Sequence, residues 1–283
     1  MADQTPEGPR FAFGKNWQRY LRVIDERRMG LAESYLREML EAQDLRGKTF
    51  LDVGCGSGLY SLAARRLGAK VHAFDYDPDS VACARELKRL LRPDDEGWTI
   101  EQGDVLDARY MGSLGKFDVV HAWGVLHHTG DMRRAMENAA VPVEPKGGEL
   151  FLALYNDLGD SSRRWKRIKR FYCSGWFGRA VVYTFSIPYF GLSCLLEDIL
   201  SLRNPLLRYG GTRRGMSIVF DCFDWIGGYP YEVSKPEEVF RFYRDRGFAL
   251  KNLVTAGPTL YNNQYVFRKG LPTDNMNISE ARD

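Results

Sequence analysis

Leu51-Asp52-Val53-Gly54-Cys55-Gly56-Ser57-Gly58 decides how this chain folds. A hydrophobic run (Thr49, Phe50, Leu51, Val53) carries an acid near its end and breaks into three glycines. The next residues, Leu59, Leu62, Ala63, Ala64 and Leu67, recur at helical spacing. A strand feeding a glycine turn and a helix N-terminus lets backbone amides approach a nucleotide. The spacing narrows the ligand. A dinucleotide fingerprint would need glycine at position 59, which is Leu59, and the third glycine comes one residue early at Gly58. Asp52 would repel a pyrophosphate and suits a cationic cofactor.

Working outward, Lys70-Val71-His72-Ala73-Phe74 reads as a second strand ending at Asp75. That acid falls about 20 residues beyond the glycines, where such folds set a carboxylate on ribose hydroxyls. Asp77-Pro78 opens the next helix, with proline in its first turn. Trp98 to Val105 reads as a third strand containing Gly103-Asp104, and Phe117 to Trp123 as a fourth, followed by Gly124-Val125-Leu126-His127-His128. Pro145-Lys146-Gly147-Gly148 turns into a fifth at Glu149-Leu150-Phe151-Leu152.

Five such motifs in this order resemble class I S-adenosylmethionine-dependent methyltransferases, in particular the quinone-biosynthesis and small-molecule O-methyltransferase group. The resemblance covers residues 48–155 and, more loosely, 236–268. It implies an α/β fold with a doubly wound, Rossmann-like, seven-stranded and mostly parallel sheet. It also implies S-adenosyl-L-methionine as cofactor and S-adenosyl-L-homocysteine as product. By motif, the cofactor residues are Asp52, Gly54, Cys55, Gly56, Gly58, Asp75, Tyr76, Gly103, Asp104, Val105 and Trp123. A Rossmann oxidoreductase is the main competitor, and the glycine spacing with Asp52 argues against it.

The chain has 283 residues, 44% of them hydrophobic, enough for one large core or a core with an accessory lobe. A net charge of +3 is too mild to argue for nucleic acid. Five scattered cysteines (Cys55, Cys83, Cys173, Cys194, Cys222) have no C-x-x-C or Cys/His ligand spacing. They read as free thiols in a reducing compartment, with no metal site. The opening residues lack the basic and apolar regions of a signal peptide, so a cytoplasmic location is expected.

Residues 1–47 read as an N-terminal helical segment with two helices over 15–43, and 48–155 as the cofactor-binding core. Pro236 to Arg246 reads as the last helix, stopped by Gly247, with strands at Phe248–Thr255 and Gln264–Phe267 completing the core over 231–269. The polar, aperiodic end, 270–283, reads as a disordered tail. Residues 156–230 are then an insertion after strand five, read as a helical lid over the acceptor. Within it, Arg163 to Arg170 puts six basic residues in eight, with Trp165, Ile168 and Tyr172 on one stripe. Such a helix is suited to anionic membrane or phosphate contact, or to a solvated lid face. Ala180 to Leu196 runs uncharged, interrupted by Pro188 and Gly191, and reads as a buried or interfacial helix pair. Asp221 to Glu232 is aromatic, acidic and glycine-hinged, which suits a pocket for a polar ring. Trp225, Tyr229, Tyr231, Arg213 and Arg214 are the candidate acceptor-binding residues.

Methyl transfer from a sulfonium is an in-line displacement, so the protein mainly aligns the reactants. A neutral hydroxyl acceptor needs a base. His128 is the preferred one, with an expected inflection in rate near 6.5. His127 is expected to pack, and Tyr155 and Asp224 are the alternatives. The leading expectation is O-methylation of a sugar, glycan precursor or phenolic metabolite. The competing ones are a macromolecular methyltransferase acting on RNA or a phosphorylated carrier, and a non-catalytic cofactor-binding protein.

Overall fold

The structure, a computed structural model, describes residues 10–200, 222 and 225–270. Its centre is a seven-stranded sheet: β1 (Thr49–Val53), β2 (Lys70–Asp75), β3 (Trp98–Gln102), β4 (Val119–Trp123), β5 (Glu149–Tyr155), β6 (Phe248–Val254) and β7 (Asn262–Lys269). The order is β3-β2-β1-β4-β5-β7-β6, with β1 to β5 parallel and β7 antiparallel to both neighbours. The order reverses between β1 and β4, and such a switch point opens a crevice at the carboxyl ends of the strands.

Both faces are covered, which is why the central strands read as hydrophobic runs and not as alternating ones. Phe50 and Phe151 face a core shared with α2 (Glu26–Leu40), α3 (Leu59–Arg66) and α4 (Pro78–Leu91). Leu51, Val53 and Val120 face the opposite core, built with α5 (Ala108–Ser113), α6 (Met132–Ala139) and α9 (Pro236–Arg244). Aspartates start the helices where the sequence changes period: Asp25, Asp77, Asp107 and Asp131 each accept a backbone N–H at an N-cap. The third strand stops at Gln102, short of the expected Val105. Asp104 instead accepts the Leu106 N–H at 2.8 Å, a local turn that competes with the ladder.

Before α2, the short α1 (Phe13–Tyr20) lies against the start of α4. Gly14 N–H donates to Asp77 Oδ2 at 2.9 Å, and a Cβ at Gly14 would sit 2.4 Å from Asp79 Cβ. Ahead of α1, the Phe11 N–H donates to the Tyr229 carbonyl at 3.0 Å. The N-terminal segment is therefore a strap across the strand ends.

After β5 come α7 (Asp160–Tyr172) and α8 (Trp176–Leu200). A third, small core of Tyr172, Val182 and Ile226 joins them to the strap through Phe11. The expected pair of helices over Ala180–Leu196 is one helix with Pro188 inside it, and most of it is exposed rather than buried. Proline removes a single intrahelical donor, and here the helix runs through it. Arg213, Arg214, Asp224 and the expected tail over 271–283 lie outside the described residues.

Candidate active site

A cavity of about 840 Å³ opens over the carboxyl ends of β1 to β5, within the roughly 300–1,000 Å³ usual for small-molecule sites. It has two ends. The first is built by the glycine turn. Gly54, Gly56 and Gly58 all have positive φ, at 67°, 52° and 79°. At Gly54 a Cβ would meet Val125 at 2.5 Å, and at Gly56 it would meet the Trp17 indole at 2.9 Å. The turn is thus held between the loop after β4 and the N-terminal strap, and no larger residue fits there.

Asp75 sits at the tip of β2. Its Oδ2 accepts the Gly56 N–H and its Oδ1 the Asp77 N–H, both at 2.9 Å. Burial pushes its carboxyl up to about 6, against the pull of these two amides. Gly103, Asp104 and Val105 line the wall beyond, and Tyr76 lies at the rim with the Arg10 guanidinium 5.3 Å from its ring centre. Cys55 is buried in the turn, and burial, followed by Asp75 and Asp52, pushes its thiol well up, so it is no nucleophile. Trp123 lines the cavity with its indole N–H donated to Gln264 at 3.1 Å.

Asp52 also lines the cavity, but both its oxygens are engaged. Ser61 Oγ donates to Oδ2 at 2.5 Å, and His121 Nδ1 donates to Oδ1 at 2.8 Å. Each oxygen keeps a second lone pair, so Asp52 still offers acceptor capacity to the cavity it lines. His121 is the group left facing out of the pair: it lines the cavity, is 2% exposed, and its Nε2 has no hydrogen-bond partner among the described residues.

The second end is aromatic. Phe13 and His128 lie with ring centres 4.8 Å apart, and Trp165 and Trp225 meet at 4.3 Å. Tyr155 packs 4.0 Å from His127 and 5.4 Å from His128. His128 Nδ1 lies 2.6 Å from the Pro230 carbonyl, which can only accept, so the proton is on Nδ1 and the lone pair on Nε2. Burial, with some help from the Lys169 charge, lowers its pKa to about 3. The expected inflection near 6.5 is corrected accordingly, because surrounding protein disfavours the imidazolium. His127 is buried as expected; its Nδ1 accepts the Tyr155 N–H at 3.3 Å, and burial holds it well below the ordinary histidine range.

A strand-like segment through Tyr231 and Ser234 fixes this end. Glu232 N–H donates to the His127 carbonyl and Ser234 N–H to the Tyr155 carbonyl, both at 3.0 Å. Tyr229 lines the cavity, but Tyr231 is 1% exposed and lies under Tyr155 at 5.1 Å, behind the chamber wall. Its expected contact with an acceptor becomes a supporting one. Lys169, also fully buried, lies 4.8 Å from the Trp225 ring centre and 4.9 Å from that of Tyr231.

Sequence reasoning missed Arg10, Phe11, Phe13 and Trp17 of the strap, and His121 and Lys169. Trp17 carried a signal as part of an apolar helical stripe, but nothing local aimed it at Gly56. His121 could have been found by its place opposite Asp52 in neighbouring strands.

The profile of a family described as "Methyltransferase domain" matches residues 24–181, more than half of the chain. A ubiquinone biosynthesis O-methyltransferase from Xanthomonas oryzae pv. oryzae is 38% identical over 113 residues, which are 40% of this chain and 45% of that protein. The matched stretch thus spans less than half the length of that relative. A ribosomal protein L11 methyltransferase from Methylococcus capsulatus is 42% identical over 82 residues, 29% of this chain and 25% of that one. Among solved structures, magnesium protoporphyrin IX methyltransferase from Synechocystis PCC 6803 with bound SAH overlays with a TM-score of 0.51 at 18% identity, covering 89% of this chain and 86% of that one. Profile, relatives and fold agree with the order of the motifs along β1 to β5: the chain belongs to the methyltransferase-domain family, in its class I, S-adenosylmethionine-dependent group.

Proposed function

We propose that the protein transfers a methyl group from S-adenosylmethionine to a hydroxyl of a small aromatic acceptor. The carrying observation is one continuous cavity whose glycine end fits a nucleoside and whose other end is walled by aromatic rings beside the neutral, proton-accepting His128. The name of the ubiquinone-biosynthesis relative supports a hydroxylated ring as acceptor.

The residues present fit the cofactor. Gly54 and Gly56 hold the left-handed backbone of a turn that borders the cavity, with Val125 and Trp17 packed where a Cβ would sit, and Asp75 holds the turn while still lining the cavity beside it. Asp75 is assigned to the ribose hydroxyls and the wall at Gly103, Asp104 and Val105 to the adenine. The amino-acid end then falls to the Asp52–His121 pair, whose unpartnered Nε2 is an acceptor for an ammonium group. When bound, the cofactor supplies an activated methyl on a cationic sulfur.

The chain's own residues do the rest. Trp165, Trp225 and Phe13 hold the acceptor ring by its faces. His128 Nε2 takes the hydroxyl proton while Nδ1 stays anchored to Pro230, so the imidazole does not rotate away. The strap and the 229–230 backbone cover the cavity and exclude water. Phenols, catechols and hydroxylated sugars offered with labelled S-adenosylmethionine test the reading. Label should enter phenolic hydroxyls, and label in sugars alone would refute the aromatic acceptor.

A further inference from the structure

Most of the outward face of the insertion lies off the cavity, which only Tyr189 of it lines, and it is unusual. On α7 the side chains of Arg163, Arg164, Lys166, Arg167 and Arg170 are all exposed, while Lys169 and Tyr172 turn inward. At the turn into α8 three aromatic rings come together outside the protein. Phe171 and Phe177 meet at 6.4 Å and Trp176 and Phe177 at 6.0 Å, both edge to face. They are 42%, 60% and 79% exposed in the order Phe171, Phe177, Trp176. Exposed Arg170 and Arg179 flank them in sequence. From there Phe185, Tyr189, Leu192, Leu196 and Ile199 recur every three or four residues, and each is at least half exposed. That spacing puts them on one stripe of α8.

An exposed aromatic cluster edged with arginine, on a helix that carries a further exposed apolar stripe, marks an interaction site. We propose that the α7–α8 face docks on an anionic phospholipid bilayer, with Trp176, Phe177 and Phe171 in the interfacial layer and the arginines on lipid phosphates. Tryptophan and arginine are the side chains that favour that depth, the first for its amphipathic ring and the second for its charge. Among the described residues no helix is long and apolar enough to cross a membrane, so the contact lies along the surface. Charge favours this occupant over a second copy of the chain, because a symmetric contact here would bring like arginines together. The apolar stripe favours it over RNA, which would leave Leu192, Leu196 and Ile199 in water. Trp165 reaches the acceptor chamber from the same helix that carries the arginines, so an acceptor held in the bilayer would be presented beside the cavity. That consequence rests on the acceptor reading above; the docking does not.

Vesicle flotation tests it, using the full chain with phosphatidylcholine vesicles with and without phosphatidylglycerol. Binding is expected only with the anionic lipid and should fade as salt is raised. R167E/R170E should weaken it about tenfold or more, at about 1 kcal/mol per basic residue lost. W176S/F177S should remove it. Titration with S-adenosylhomocysteine and a thermal melt show that each variant is folded, since all four side chains are exposed. Three results would overturn the proposal: no flotation with anionic vesicles, salt-sensitive RNA binding lost in the same variants without flotation, or a dimer by light scattering that W176S/F177S dissociates without flotation.

Discussion

Asp75 ties the glycine turn to the start of α4 through the amides of Gly56 and Asp77, and it borders the cavity at the place assigned to a ribose. Asp75→Ala should weaken S-adenosylhomocysteine binding by roughly 10–100-fold, the loss expected when hydrogen bonds to a charged group go. Calorimetry measures it, and an unchanged affinity would remove Asp75 from the site. His128 makes a different prediction, in rate. With its pKa near 3 it is neutral through the working range, so turnover should show no acid limb around 6.5. His128→Ala should slow methyl transfer toward the low end of the roughly 10²–10⁴-fold range of a positioned base, because a pKa near 3 makes it a weak proton acceptor, with little change in cofactor affinity. A wild-type inflection near 6.5 that this variant abolishes would contradict the depressed histidine. The glycines and Asp75 were legible in the sequence because their constraints are local: a turn conformation, and a fixed distance along the chain. His121 was not, because its role comes from lying beside Asp52 across 69 residues of sequence. Nor was the setting of His128, since it is supplied by Pro230 and Phe13, both far away along the chain.

At the scale of elements, two segments outside the parallel core close the cavity. The strap depends on Gly14, where α1 approaches α4 too closely for any side chain. Gly14→Val should dislodge α1 and with it Trp17 from the glycine turn. Affinity for S-adenosylhomocysteine should then fall several-fold or more by calorimetry, with the sheet's circular dichroism unchanged. Unaltered affinity would mean that the strap does not shape the cofactor end. Trp225→Ala should lower turnover while cofactor affinity stays within a few-fold, because Trp225 belongs to the aromatic end alone. Period and punctuation marked both segments as helical. Hydrophobicity alone misplaced Ala180–Leu196, because an uncharged run reads the same whether it is covered by protein or faces outward.

For the whole molecule, buried titratable groups set the pH response of stability. His127 and His128 are lowered by folding, so between about 6.5 and 3 the native state binds fewer protons than the unfolded chain. Stability therefore falls as pH falls through that window. Asp75, raised to about 6, and Glu232, also raised by burial, work the other way, while Asp95, Glu101 and Asp118, whose carboxyls folding lowers, add to the loss on acidification. The melting temperature should decline from pH 6.5 toward 4, and His127→Phe with His128→Phe should flatten the slope. A melting temperature rising on acidification would contradict the assignment.

The central claim is that the cavity under the strap is an S-adenosylmethionine site and not a nicotinamide site. Isothermal titration of the full chain with S-adenosylhomocysteine and, separately, with NADH tests it most directly. The account predicts one S-adenosylhomocysteine bound per chain, weakened by roughly 10–100-fold in Asp75→Ala and lost in Gly56→Val, and no heat from NADH. Saturable NADH binding with no response to S-adenosylhomocysteine would contradict it.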